Sequence, residues 1–94
     1  MSNRVLSVRE VFFFPGTRAK FEGHFIMNSS DPALITIANE LKETATTIPK
    51  YQLLLKVKDT ESYEMTDCLI HRFELDSSEL ATCHFFCNDI EKID

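Results

Sequence analysis

Gly23 and His24 lie between Phe21-Glu22 and Phe25, and they are the neighbours in this chain best equipped for chemistry. A glycine lets backbone come close to a bound molecule, and an imidazole exchanges a proton near neutral pH. Seven residues after Phe25, Pro32 follows Asp31 in a helix-opening pattern. The free N–H groups at such a start could polarise a thioester carbonyl and stabilise enolate-like charge. This arrangement would have the ring of His24 facing the amino end of the helix, with base and oxyanion site as neighbours. The bland reading is a loop histidine that donates to a nearby carbonyl. His71 and His84 fall in strand-like segments with no triad or metal-ligand spacing around them, so they read as surface or packed histidines.

The elements that must position these residues follow from pattern. Val5–Phe14 is rich in β-branched and aromatic residues and stops at Pro15-Gly16, which marks a first strand. The run Phe12-Phe13-Phe14, with Phe21 and Phe25, reads as core or as the wall of an acyl tunnel. Residues 17–30 read as a loop. Asp31 supplies a cap and Pro32 a first helical position, and Leu34, Ile37, Ala38, Leu41 and Ala45 recur at helical spacing, so an amphipathic helix is expected to run from here to 46–49. Alternation of Leu53, Leu55 and Val57 with polar residues marks a strand over 51–58. Segments 68–75 and 79–88 flank Asp76-Ser77-Ser78, a turn sequence, and form an expected hairpin.

Composition bounds the rest. The chain has 94 residues, 44% of them hydrophobic, enough for one core and a single domain over 1–94. A net charge of −5 with scattered cations disfavours nucleic acid as a partner. No apolar run reaches a membrane span and no signal-peptide core follows the first residues, so the expectation is a soluble, cytoplasmic protein. Cys68, Cys83 and Cys87 lack close C-x-x-C spacing, and on one strand Cys83 and Cys87 would lie about 13 Å apart, beyond disulfide or shared-metal reach. They read as reduced core thiols; no metal and no cofactor is expected.

At this point the sequence resembles the hot-dog 3-hydroxyacyl-acyl-carrier-protein dehydratases, in which a Gly-His-Phe loop precedes, by seven residues, a proline that opens a long helix. Gly23-His24-Phe25 and Pro32 keep that spacing, and Val8–Phe14 is similar to the family's first strand. The resemblance implies an α+β, hot-dog-like fold with an antiparallel sheet wrapped around one central helix. It further implies His24 as the proton-transferring residue, Gly23, Pro32 and Ala33 near the thioester carbonyl, and Phe21 and Phe25 along the acyl tail. Its partners would be an acyl-carrier protein or acyl thioester and a second hot-dog subunit in a homo- or heterodimer.

Three departures qualify this. Ala38 stands where the family carries its catalytic carboxylate, Ile26 and Ala33 replace a proline and a glycine, and 46–51 has no room for the family's extra strand. Glu40 lies about 200° around the helix from Ala38, off the buried stripe, which leaves Glu22 as the nearer substitute. Two readings of function therefore stand together. One is a lyase-like protein that binds or processes a 3-hydroxyacyl thioester, and the other is a non-catalytic partner subunit or small α+β interaction protein.

Overall fold

The computed structural model describes residues 2–43, 49–76 and 79–93. In chain order these form β1 (Ser2–Val8), β2 (Glu10–Pro15), β3 (Phe21–Asn28), α1 (Pro32–Glu43), β4 (Tyr51–Val57), β5 (Glu61–Leu75), β6 (Leu80–Cys87) and β7 (Asp89–Ile93). The fold is α+β, a mixed sheet with one helix among the described residues. The sheet runs β1-β4-β5-β6-β3-β2, with β7 paired to β5, and β1 lies parallel to β4 while the other pairs are antiparallel.

One residue shapes this sheet. β1 and β2 occupy its two ends, yet only Arg9 separates them in the chain. Laid flat, the five inter-strand steps between them would span about 24 Å, whereas two residues of chain reach only about 7 Å. The sheet therefore curls until its ends meet at Arg9, whose N–H donates to Ile26 O at 2.7 Å. The long strand β5 makes the curl possible by serving both halves. It pairs with β4 along its first part, with β7 over Ser62–Thr66 and with β6 over Leu69–Leu75. Where it passes from β7 to β6, Asp67 adopts a left-handed φ of 52°, Asn88 N–H donates to Thr66 O, and the Asn88 amide donates to Asp67 Oδ2 at 2.9 Å.

Alternation decides what lies inside the curl. Tyr51, Leu53, Leu55 and Val57 of β4 point inward, as do Phe25 and Met27 of β3 and Ala81, Cys83, Phe85 and Cys87 of β6. The helix adds Leu34 and Ile37 to the same cluster. Asp31 caps its start, accepting from Ala33 N–H at 2.9 Å through Oδ1, and Pro32 fills the first helical position as expected. On the helix flank both carboxylate oxygens of Glu40 accept from Nη2 of Arg4 of β1, at 2.8 and 2.9 Å, and the Arg4 guanidinium lies 5.8 Å from the centre of the Tyr51 ring.

Several expectations change here. The first strand is two strands broken at Arg9, and residues 21–28, read as loop, form β3. The period-two pattern of Phe21, Gly23, Phe25 and Met27 was present, but the polar residues beyond it hid the strand. β5 begins at Glu61, well ahead of Cys68, and β7 was not anticipated. The expected sheet was antiparallel throughout, whereas β1 is parallel to β4. The helix is described to Glu43, and its expected end at 46–49 falls largely outside the described residues. The expected hairpin turn is bracketed by Asp76 N–H donating to Leu80 O, though 77–78 lie outside the described residues.

Tyr51 gives a direct test of this packing. Its ring is fully buried, and its hydroxyl has no partner at hydrogen-bond geometry. Burial first, then the nearby Glu40 charge, push its pKa above the usual value; the Arg4 charge opposes the rise, and the closeness of the Glu40 carboxylate to the hydroxyl adds to it. Tyr51→Phe removes a buried hydroxyl that meets no partner at hydrogen-bond geometry although Glu40 is close, and it keeps the ring, so it should leave stability unchanged or raise it by up to about 1 kcal/mol in urea unfolding. A loss of stability on this substitution would show that the hydroxyl is bonded.

Candidate functional site

The Phe-Glu-Gly-His-Phe segment lies in β3, between β2 and β6, and strand alternation divides its residues between two faces. Phe25 is fully buried in the cluster that also holds Leu34 and Ile37 of the helix, with its ring 6.0 Å from that of Phe85. Its neighbour His24 must then face the other way. The imidazole sits on the outer face of the sheet, 5.0 Å from the Phe12 ring and 5.6 Å from that of His84. The sequence led us to expect His24 to face the amino end of the helix across a space; the sheet lies between them instead.

The other candidate residues are parted in the same way. Gly23 faces inward, opposite Phe13 and Phe85, and a Cβ there would lie 2.0 Å from Phe12 O. The absent side chain lets β2 approach β3, so the space is filled by protein backbone. Phe21 is half-buried with Phe13 packed edge-on at 6.2 Å. Pro32 is exposed, and the N–H of Ala33 is already taken by Asp31. Glu22 Oε2 accepts the N–H of Thr17 at 3.0 Å and braces the turn after β2, while Glu40 holds Arg4. Ala38 is half-buried on the helix.

Sequence reasoning missed what gathers on the outer face. His24, His84 and His71 form a row, with ring centres 5.6 and 6.1 Å apart, and His71 stacks on Phe86 at 4.2 Å. A register shift between Ile70 and Arg72 produces the row by turning His71 toward the same face. Only the pairing of β3, β6 and β5 brings these residues together, so spacing along the chain gave no signal. Glu74 Oε1 contacts Nε2 of His84 at 2.8 Å and also the Arg72 guanidinium. His71 is exposed, yet partial desolvation lowers its pKa, and the charges of His84, Arg18 and Arg72 lower it further against a smaller opposing pull from Glu22.

The thiols contribute no reactivity. Cys68, Cys83 and Cys87 are buried, and desolvation raises Cys68 well above its ordinary value, Cys83 to about 12 and Cys87 to about 11, which keeps them protonated near neutral pH. Among the described residues no group of three His, Cys, Asp or Glu side chains is placed to hold a metal ion, and no helix is long and apolar enough to cross a membrane. No protein-family model, curated protein or solved structure matches the chain.

Two outcomes test this geometry. Gly23→Ala drives a methyl group into the Phe12 carbonyl, and should cost more than about 2 kcal/mol in denaturant unfolding because backbone has to move. For His71, a folded pKa below 6.5 means that the unfolded chain takes the proton more readily. Stability should accordingly be full above the unfolded value and fall as pH drops from there through the folded value. His71→Ala should flatten that slope, and an NMR titration of the His71 ring should place its midpoint below 6.5.

Proposed function

We propose that this protein is a non-catalytic interaction subunit that takes up a strand of a partner polypeptide along β2. The observation that carries the reading is the exposure of three successive aromatic residues on an edge strand. Phe12, Phe13 and Phe14 are 50%, 39% and 56% exposed. The sequence led us to expect this run in the core or along an acyl chain. In the structure β2 ends the sheet order, with β3 on one side and, among the described residues, no strand paired on the other.

An unpaired strand edge offers backbone donors and acceptors to any extended segment, and exposed aromatic residues give such a segment apolar contact. Soluble proteins usually guard such an edge with charge. Here Pro15, which has no N–H to offer, ends the strand, while its centre is left apolar. Phe13 is steadied edge-on by Phe21 and by Tyr63, so this member of the run is held in place before any partner arrives. Alongside it, a cleft of about 340 Å³ opens between residues 9–12 and the turn leading into β5, lined by Val57, Lys58, Thr60, Glu61 and Tyr63.

Processing of a 3-hydroxyacyl thioester on an acyl-carrier protein would need proton transfer and carbonyl polarisation at one point. The separation of His24 from the helix start, together with Ala38, favours the non-catalytic reading.

The test uses the full chain as bait in its native host, with Phe12→Glu/Phe14→Glu compared against Ile35→Glu, a substitution at an exposed helix position. A partner retained by wild type and Ile35→Glu but lost by the β2 variant, with slowed amide exchange of Val11 and Phe13 in the complex, is the expected result. Equal retention by both variants would remove the β2 assignment. Water loss from a 3-hydroxyacyl carrier-protein substrate, abolished by His24→Ala, would replace this reading with an enzymatic one.

A further inference from the structure

The junction at which β1 becomes β2 carries a second feature, which shares Arg9 and Lys58 with the cleft beside the aromatic edge. In a chain of net charge −5, the cations Arg9, Lys56 and Lys58 converge there. Ser7 and Lys56 are register partners in β1 and β4, so the end of that pair delivers Lys56, and the turn that follows delivers Lys58, beside the emerging Arg9. With Ser7, Val8, Asn28 and Asp59 they line a cavity of about 280 Å³. All three side chains are exposed at its rim, and among the described residues none of them forms an ion pair or a side-chain hydrogen bond. Even Asp59, on the same rim, pairs with none of them. Lys58 also holds a left-handed φ of 55°, a conformation that glycine or asparagine adopts more easily.

Directly adjoining is a second cavity, of about 480 Å³, which shares Val8, Arg9 and Lys58 with the first and continues along Ile26 and Leu80, with Glu10 at its edge. The two together form one depression with a cationic half and an apolar half. A cluster of unpaired cations attracts a multiply charged anion, and the fork of Arg9 can bind two oxygens of a tetrahedral phosphate at once while the two lysines act as point charges. The apolar half adds selectivity for an anion that carries a hydrophobic group.

We propose that this depression binds a small organic phosphate monoester, with the phosphate held by Arg9, Lys56 and Lys58 near Ser7 and Asn28, and its apolar substituent against Val8, Ile26 and Leu80. The site lies at the seam of the curled sheet, so occupancy would also tie β1, β3 and β4 together where a single residue joins the two ends.

Titrations of the full chain followed by amide NMR, with phenyl phosphate, inorganic phosphate, phosphoserine and benzoate as probes, test this. Phenyl phosphate should give saturable shifts centred on Ser7, Val8, Ile26 and Asn28, and should bind at least about tenfold tighter than inorganic phosphate or phosphoserine, because only it fills the apolar half. Benzoate, with a single charge, should bind more weakly than phenyl phosphate. Lys56→Gln/Lys58→Gln should weaken phenyl phosphate by about tenfold. Ile26→Thr should weaken phenyl phosphate and leave inorganic phosphate unchanged, which separates loss of the pocket from loss of the fold. Shifts centred elsewhere, no saturation, benzoate binding as tightly as phenyl phosphate, or inorganic phosphate matching the ester would each overturn the assignment.

Discussion

The passage of the chain from one end of the sheet to the other through Arg9 is the constraint on which the rest of this structure depends. Once β1 is committed to β4 and β2 to β3, a flat sheet is impossible and the inner face has to close around its own side chains. β5 absorbs the resulting bend at Asp67 and again between Ile70 and Arg72. The first irregularity lets β7 hand over to β6, and the second turns His71 outward. Features that look local, a left-handed aspartate and an outward histidine, thus answer to one topological demand made at the opposite side of the molecule.

Period-two alternation carries that constraint into the candidate site. Within a strand, adjacent residues cannot serve the same space, so a Gly-His-Phe sequence in β3 must divide its side chains between core and exterior. In a loop the same three residues could converge on a ligand. Assignment of 21–28 as strand or loop therefore decides the chemistry, and Gly23, pressed against the Phe12 carbonyl, shows which holds here. The glycine serves the pairing of two strands.

The sequence made the helix start legible because capping is local. Asp31 and Pro32 announce it whatever surrounds them, and the alternation in β4 was equally self-contained. The split at Arg9 was hidden because its cause lies in two distant pairings, and the strand over 21–28 was hidden because the polar Asn28-Ser29-Ser30 stretch that follows its period-two pattern made the whole segment read as loop. The exposed phenylalanines misled for a related reason: hydrophobicity predicts burial only where something is available to cover the residue, and the end of a sheet lacks that cover. The histidine row, drawn from β3, β5 and β6, was illegible in principle, since its members are 13 and 47 residues apart in the chain.

The interior narrows what this molecule can do. Among the described residues the core holds no buried charged or hydrogen-bonding side chain other than the thiols and the Tyr51 hydroxyl. Desolvation holds those thiols in their protonated form, and Tyr51 is pushed further from ionising. A reaction centre needs groups that change protonation or hold charge as bonds shift, and an apolar lining with raised acid pKa values resists both. The charged side chains, the imidazoles and the exposed phenylalanines of β2 lie outside this buried core, at the β2 edge, on the imidazole row and at the cationic seam. This division is what places both proposed contacts, the β2 edge and the cationic seam, on the rim of the molecule.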